Sequence, residues 1–127
     1  GIDWVKLGRD LITDKLGEHE CQACPDVSYR NGRYHMFFSY RDIQNYKDRK
    51  GGYRIGYASS PDMANWARDD EQIDMGLSET GWDSEMVNYP HVFELDGRTH
   101  MLYQGNGMGR DGFGLAVLAS EAAWRSA

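Results

Sequence analysis

Two glutamates stand at matching distances ahead of two prolines: Glu20 lies five residues before Pro25 in HECQACPDV, and Glu85 five before Pro90 in SEMVNYPHV. Carboxylates donate and withdraw protons in acid–base catalysis, and a pair divides the two tasks when its surroundings set different pKa values. Nearby side chains are suited to gripping polar ligand groups. Asp26, Asp83, Asn88 and His91 supply acceptors and donors, while Trp82 and Tyr89 offer flat apolar faces. The two glutamates also admit a structural reading, as loop caps or as partners of an arginine such as Arg41 or Arg110, because residues that recur in a repeated chain usually recur for packing.

Other reactive side chains read as structural. His35 and His100 occupy the same place in a repeated strand, between bulky neighbours, which points to hydrogen-bonded packing rather than metal ligation. Cys21 and Cys24, with His19 nearby, lack the second ligand pair of a tetrahedral zinc site, so no metal and no cofactor is expected. In an extended strand their α-carbons lie about 10 Å apart, beyond the ~7 Å reach of a disulfide, and both are read as reduced thiols. The glycine-rich GNGMGRDGFG falls between two expected strands and opens no helix, so it lacks the amide cradle of a phosphate loop and reads as a flexible connection.

The chain of 127 residues has a net charge of -6 and a pI near 5.1. That balance argues against nucleic acid and anionic membrane as partners, since each calls for a basic footprint, and suits a neutral polyol. No apolar run approaches the ~20 residues that span a bilayer. A soluble, cytoplasmic protein is expected, and Gly1 in place of an initiator methionine leaves room for an excised leader.

The elements that would position these residues come as a repeat. CPDVSYRNGRYHMFFSY (Cys24 to Tyr40) returns as YPHVFELDGRTHMLYQG (Tyr89 to Gly105) at a constant offset of 65 residues, and IGYASSPDMANW returns as FGLAVLASEAAW, keeping Gly56/Gly114 and Trp66/Trp124. Trp4 opens the chain in the same style, so tryptophans punctuate a period of roughly 60 residues, as in propeller-type repeats. Asn31-Gly32 and Asp96-Gly97 each predict a tight hairpin, joining Cys21–Tyr29 to Arg33–Tyr40 and Met86–Leu95 to Arg98–Gln104. Third strands are predicted over Tyr53–Ser59 and Gly112–Ala119. SPDMANW reads as a helical turn capped by Ser60 or Asp62, leading to a fourth strand from Trp66. Tyr34, Met36, Phe38 and Tyr40 share one strand face and His35, Phe37 and Ser39 the other, so apolar bulk on both faces predicts a sheet covered on both sides.

With Pro-x-Val at Pro25 and Pro90, the hairpin Gly-Arg-x-His-Met, and IGYASSPDMANW, the chain resembles the five-bladed propeller glycoside hydrolases of family 43 and the invertase type, over about two blades. The resemblance implies an all-β, β-propeller-like fold of two four-stranded antiparallel blades: residues 1–12 as the outer strand of a preceding blade, 20–75 as blade one, and 82–127 as blade two lacking its outer strand. It also implies a saccharide over the central axis and catalytic carboxylates one or two residues before each inner-strand proline. Here those positions hold Ala23, Cys24, Asn88 and Tyr89, so Glu20 and Glu85 are the stand-ins, with Glu20 as general acid. Two units leave hydrophobic flanks uncovered, so a homo-oligomer is expected, a dimer or trimer that closes the propeller. Two functions follow as expectations: a glycoside hydrolase-like protein acting on or binding a carbohydrate, or a non-catalytic propeller fragment that self-assembles and binds saccharide or protein.

Overall fold

A computed structural model describes residues 1–8 and 10–126, with the side chains of Arg125 and Ser126 left aside. Arg9 and Ala127, inside the first and last expected segments, lie outside the described residues. Seven strands form two antiparallel sheets in chain order. The first sheet contains β1 (Glu20–Arg30), β2 (Arg33–Asp42), β3 (Arg54–Ser60) and the two-residue β4 (Ala67–Arg68); the second contains β5 (Asn88–Leu95), β6 (Arg98–Gln104) and β7 (Phe113–Val117). The architecture is all-β and propeller-like, with four strands and then three, so the second sheet falls one short of a four-stranded blade among the described residues.

Both hairpins close as the sequence requires. Asn31 and Gly32 have φ of 50° and 80°, Asp96 and Gly97 of 52° and 73°, the left-handed pair that a two-residue type I′ loop demands. SPDMANW is not helical; two side chains fold it. Ser60 Oγ accepts the Asp62 and Met63 amides, and Asp62 Oδ1 accepts those of Ala64 and Asn65. β5 starts at Asn88 rather than Met86 because the Glu85 and Met86 amides turn to Asn106 Oδ1.

Residues 35–40 of β2 are buried on both faces, as predicted. One face packs against the second sheet in a cluster of Phe37, Ile55, Tyr57, Val87, Val92, Met101 and Trp124. The other face joins Met36, Phe38, Tyr40 and Ala58 to Ile12, with Trp66 packed beside them. Ile12 belongs to the opening segment expected as an outer strand. No strand forms in residues 1–8 or 10–16. Instead, residues 12–16 cross the first sheet: Arg68 Nη1 donates to the Thr13 carbonyl, Gln22 Nε2 to that of Ile12, and the Lys15 and Leu16 amides to Glu20 Oε2.

The inner strands carry the same irregularity. Between Ala23 and Asp26, and between Asn88 and His91, one extra residue bulges out of the ladder. Cys24 (φ 51°) and Tyr89 (φ 53°) are each left-handed directly before proline, costly backbone that neither residue type favours.

Candidate functional site at the inner-strand bulges

The two bulges meet the end of β2 and the start of β3, where an arginine and three tyrosines gather. The Arg41 guanidinium stands over the Tyr46 ring at 4.1 Å and the Tyr53 ring at 5.4 Å, and Tyr53 packs against Tyr89 with ring centroids 5.5 Å apart. The Tyr89 amide donates to Ser39 Oγ at 2.7 Å and the Val87 amide to the Tyr53 carbonyl at 3.1 Å, tying the second inner strand to the first sheet. A side-chain hydrogen bond to Tyr53, together with burial, pushes the Tyr89 hydroxyl up to about 12, so it stays protonated at neutral pH. Burial opposes the charge on Arg41, yet the hydrogen bond to Tyr53 leaves the guanidinium's pKa above its ordinary value.

Glu20 is placed elsewhere. Its carboxylate is fully buried, pairs with Arg68 Nη1 at 2.6 Å, and receives Gln22 Nε2 at 2.9 Å. Burial pushes its pKa up, but Arg68, Gln22 and the Lys15 and Leu16 amides together hold it below the ordinary value. A general acid needs the opposite shift. The geometry is that of the arginine-paired reading, with Arg68 as the partner in place of Arg41 or Arg110.

The other expected site residues divide. Asp26 bridges the sheets, accepting the Val92 amide at 2.6 Å and facing His91 Nδ1 at 3.3 Å, which leaves its oxygens engaged and His91 at the surface. Trp82 packs its ring onto the backbone at Gly105 and Gly114 and lies 5.2 Å from Tyr103; a Cβ at residue 114 would come within 2.6 Å of the indole, so any larger residue there displaces the ring. Asp83 is buried and accepts the Tyr103 hydroxyl at 3.0 Å; burial, then this hydrogen bond, pushes that tyrosine up to about 12. Asn88 is fully buried, and neither Oδ1 nor Nδ2 has a partner. Glu85 is exposed, and Arg110 pairs with its neighbour Asp111 at 2.8 Å. Tyr89 is thus the expected residue that the structure places in the arginine–tyrosine cluster, with Asn88 beside it in the chain.

Sequence reasoning missed Asn106, which lay in a stretch read as a flexible connection. Its buried amide receives the Glu85 amide at 2.8 Å and donates to the Gly81 carbonyl at 2.9 Å, fixing the loop that leads into Tyr89. An asparagine among glycines was the available signal. A separate cleft of about 410 Å³ lies between the sheets, lined by Phe37, Tyr57, Ile73, Met101, Leu118 and Trp124. Its largely apolar walls mark it as the gap where the sheets splay.

No protein-family model matches the chain. It is 42% identical over 121 residues to the uncharacterized proteins MT1551 and Rv1502 of Mycobacterium tuberculosis, covering 93% of this chain and 37% of each relative. Among solved structures, it is similar to Zg3597, a family 117 glycoside hydrolase of Zobellia galactanivorans, with a TM-score of 0.65 and 16% identity over 86% of this chain and 38% of that one. The catalytic domain of a family 62 α-L-arabinofuranosidase from Coprinopsis cinerea gives a TM-score of 0.57 and 22% identity over 86% and 30%. A thermostable family 43 glycoside hydrolase gives 0.55 and 20% over 85% and 32%. The chain has the fold of the propeller glycoside hydrolases. It spans 37% of the length of its curated relatives, and at these identities the solved structures speak for the fold alone.

Among the described residues, no helix is long and apolar enough to cross a membrane, and no three His, Cys, Asp or Glu gather as a metal site would require.

Proposed function

We propose that the chain is a carbohydrate-binding propeller portion that holds a saccharide at the inner-strand bulges without hydrolysing it. One observation carries this reading. The bulge positions, where the propeller glycosidases resembled by this chain keep their acids, hold Cys24 and Tyr89, while the substitute acid Glu20 is locked to Arg68. Glycoside cleavage needs two carboxylates across the scissile bond, one of them protonated, and Glu20 meets neither condition. Tyrosine hydroxyls and an aromatic-backed arginine are binding groups. The test is turnover of aryl arabinofuranosides, xylosides and fructosides, alongside thermal unfolding with the matching oligosaccharides. The expected result is no turnover and a saccharide-dependent rise in Tm. Turnover that disappears in Glu20→Gln or Glu85→Gln would overturn the reading in favour of an enzyme.

The same reading includes self-association. By the repeat, Ile55 and Tyr57, which the second sheet covers, correspond to Phe113 and Leu115, which are 72% and 57% exposed. The open face of the second sheet is therefore a copy of a face that is covered in the first, and we propose that a second molecule of this chain covers it. Light scattering at micromolar concentration is expected to show a dimer or trimer that Leu115→Asp dissociates; a wild-type monomer would remove the proposal.

A further inference from the structure

The connection between β2 and β3 is strongly basic in an acidic chain. Residues 41–54 hold five of the fourteen Lys and Arg (Arg41, Lys47, Arg49, Lys50 and Arg54) but two of the twenty Asp and Glu. Both acids are engaged by backbone. Asp42 Oδ1 accepts the Gln44 and Asn45 amides at 2.7 and 2.9 Å, and Asp48 Oδ1 those of Lys50 and Gly51 at 2.9 and 3.1 Å.

Among the described residues, none of the five cations is ion-paired to a carboxylate. Neutral groups hold the three arginines. Arg49 Nη1 donates to the carbonyls of Ser78 and Ser84, and Arg54 to those of Gly52, Tyr53, Glu85 and Arg49. Arg41 donates to the Asp42 carbonyl at 2.9 Å and is flanked by Tyr46 and Tyr53, which connects the basic rim to Tyr89. Lys47, Arg49 and Lys50 are exposed. Cations steadied by carbonyls and rings keep their full charge for an incoming anion, and a guanidinium presents a planar fork that matches a carboxylate.

Resting on the saccharide-binding reading above, we propose that the bulge site takes an acidic saccharide, an oligomer of hexuronic acid, whose carboxylates meet the rim of Arg41, Lys47, Arg49 and Lys50 while a ring hydroxyl meets Tyr89. The carboxylates that the fold's hydrolases would aim at the axis would repel such a ligand. With Cys24 and Tyr89 in their place, the two bulge positions carry no such charge.

Calorimetric titration with trigalacturonate, xylotriose and polyglutamate tests this. Trigalacturonate is expected to bind at least about tenfold more tightly than xylotriose near 0.02 M salt, and to weaken toward about 0.5 M salt as screening grows. Arg41→Gln is expected to lose about tenfold of that affinity, a difference of the size expected for one charge-assisted contact. The surface pair Lys47→Gln/Lys50→Gln, remote from the core, gives an independent reading if Arg41→Gln folds poorly, and a several-fold loss is expected there also. Equal binding of xylotriose, equal binding of polyglutamate, or indifference to the surface pair would overturn the acidic-saccharide proposal and leave saccharide binding standing. Failure of both sugars to bind would overturn both.

Discussion

Trp66 and Trp124 close the two repeats at matching positions, yet they serve different neighbours. Trp66 is half-buried at the outer cluster of the first sheet, its indole nitrogen donating to the Met63 carbonyl. Trp124 is 7% exposed, donates to Thr99 Oγ1 at 3.0 Å and meets His35 and Phe37 edge-on between the sheets. The repeated histidines diverge in the same way. His35 is buried, with Nδ1 2.6 Å from the Tyr57 hydroxyl and Nε2 facing the Arg30 carbonyl, a pattern that puts the proton on Nε2; His100 stacks on Phe93 at 5.4 Å near the surface. A repeated residue type fixes a strand position. What lies across from that position decides whether it becomes core.

The largest test of this contrast is truncation of the two tryptophans. Trp124→Ala is expected to cost about 3 to 5 kcal/mol in chemical denaturation and Trp66→Ala roughly half as much, since the cost follows the packing removed. Equal costs would mean that the repeats are equivalent after all. Next, Arg68→Ala strips the buried Glu20 carboxylate of its partner and releases residues 12–16; a loss of about 3 kcal/mol is expected, as for breaking one side of a buried ion pair.

A third test uses pH. Burial, then the charges of Arg33 and Arg30, lower the His35 pKa below 6.5. The folded state thus binds this proton less well than the unfolded chain, so stability is full above pH 6.5 and declines as pH falls from there toward the folded pKa. Denaturation midpoints are expected to drop over that range in the wild type and to drop less in His35→Gln. The smallest effect is expected at the bulge: Cys24→Gly relieves a left-handed cysteine and should raise stability by less than about 1 kcal/mol, read as a shift in Tm.

Much of the frame was legible. Asn31-Gly32 and Asp96-Gly97 located both hairpins because a left-handed pair has few chemical solutions, and the apolar bulk on both faces of β2 announced a sheet covered twice. The partner of Glu20 was not legible, because Arg68 comes within reach only when β4 folds alongside β3. Nor were the bulges, since cysteine and tyrosine carry no propensity for φ near 50° and tertiary packing must impose it. The arginine–tyrosine cluster was hidden for the same reason: Arg41, Tyr53 and Tyr89 come from three strands or their flanks and share no local pattern.

The paired bulges have a consequence for redesign. Each swivels one side chain out of a ladder whose flanking pairs stay in register, so the residue there is exchanged without re-threading the strand. Aspartate tolerates that twist better than cysteine or tyrosine does. Two positions 65 residues apart thus already hold the left-handed backbone that aspartate accepts, and installing Asp at either asks nothing new of the main chain.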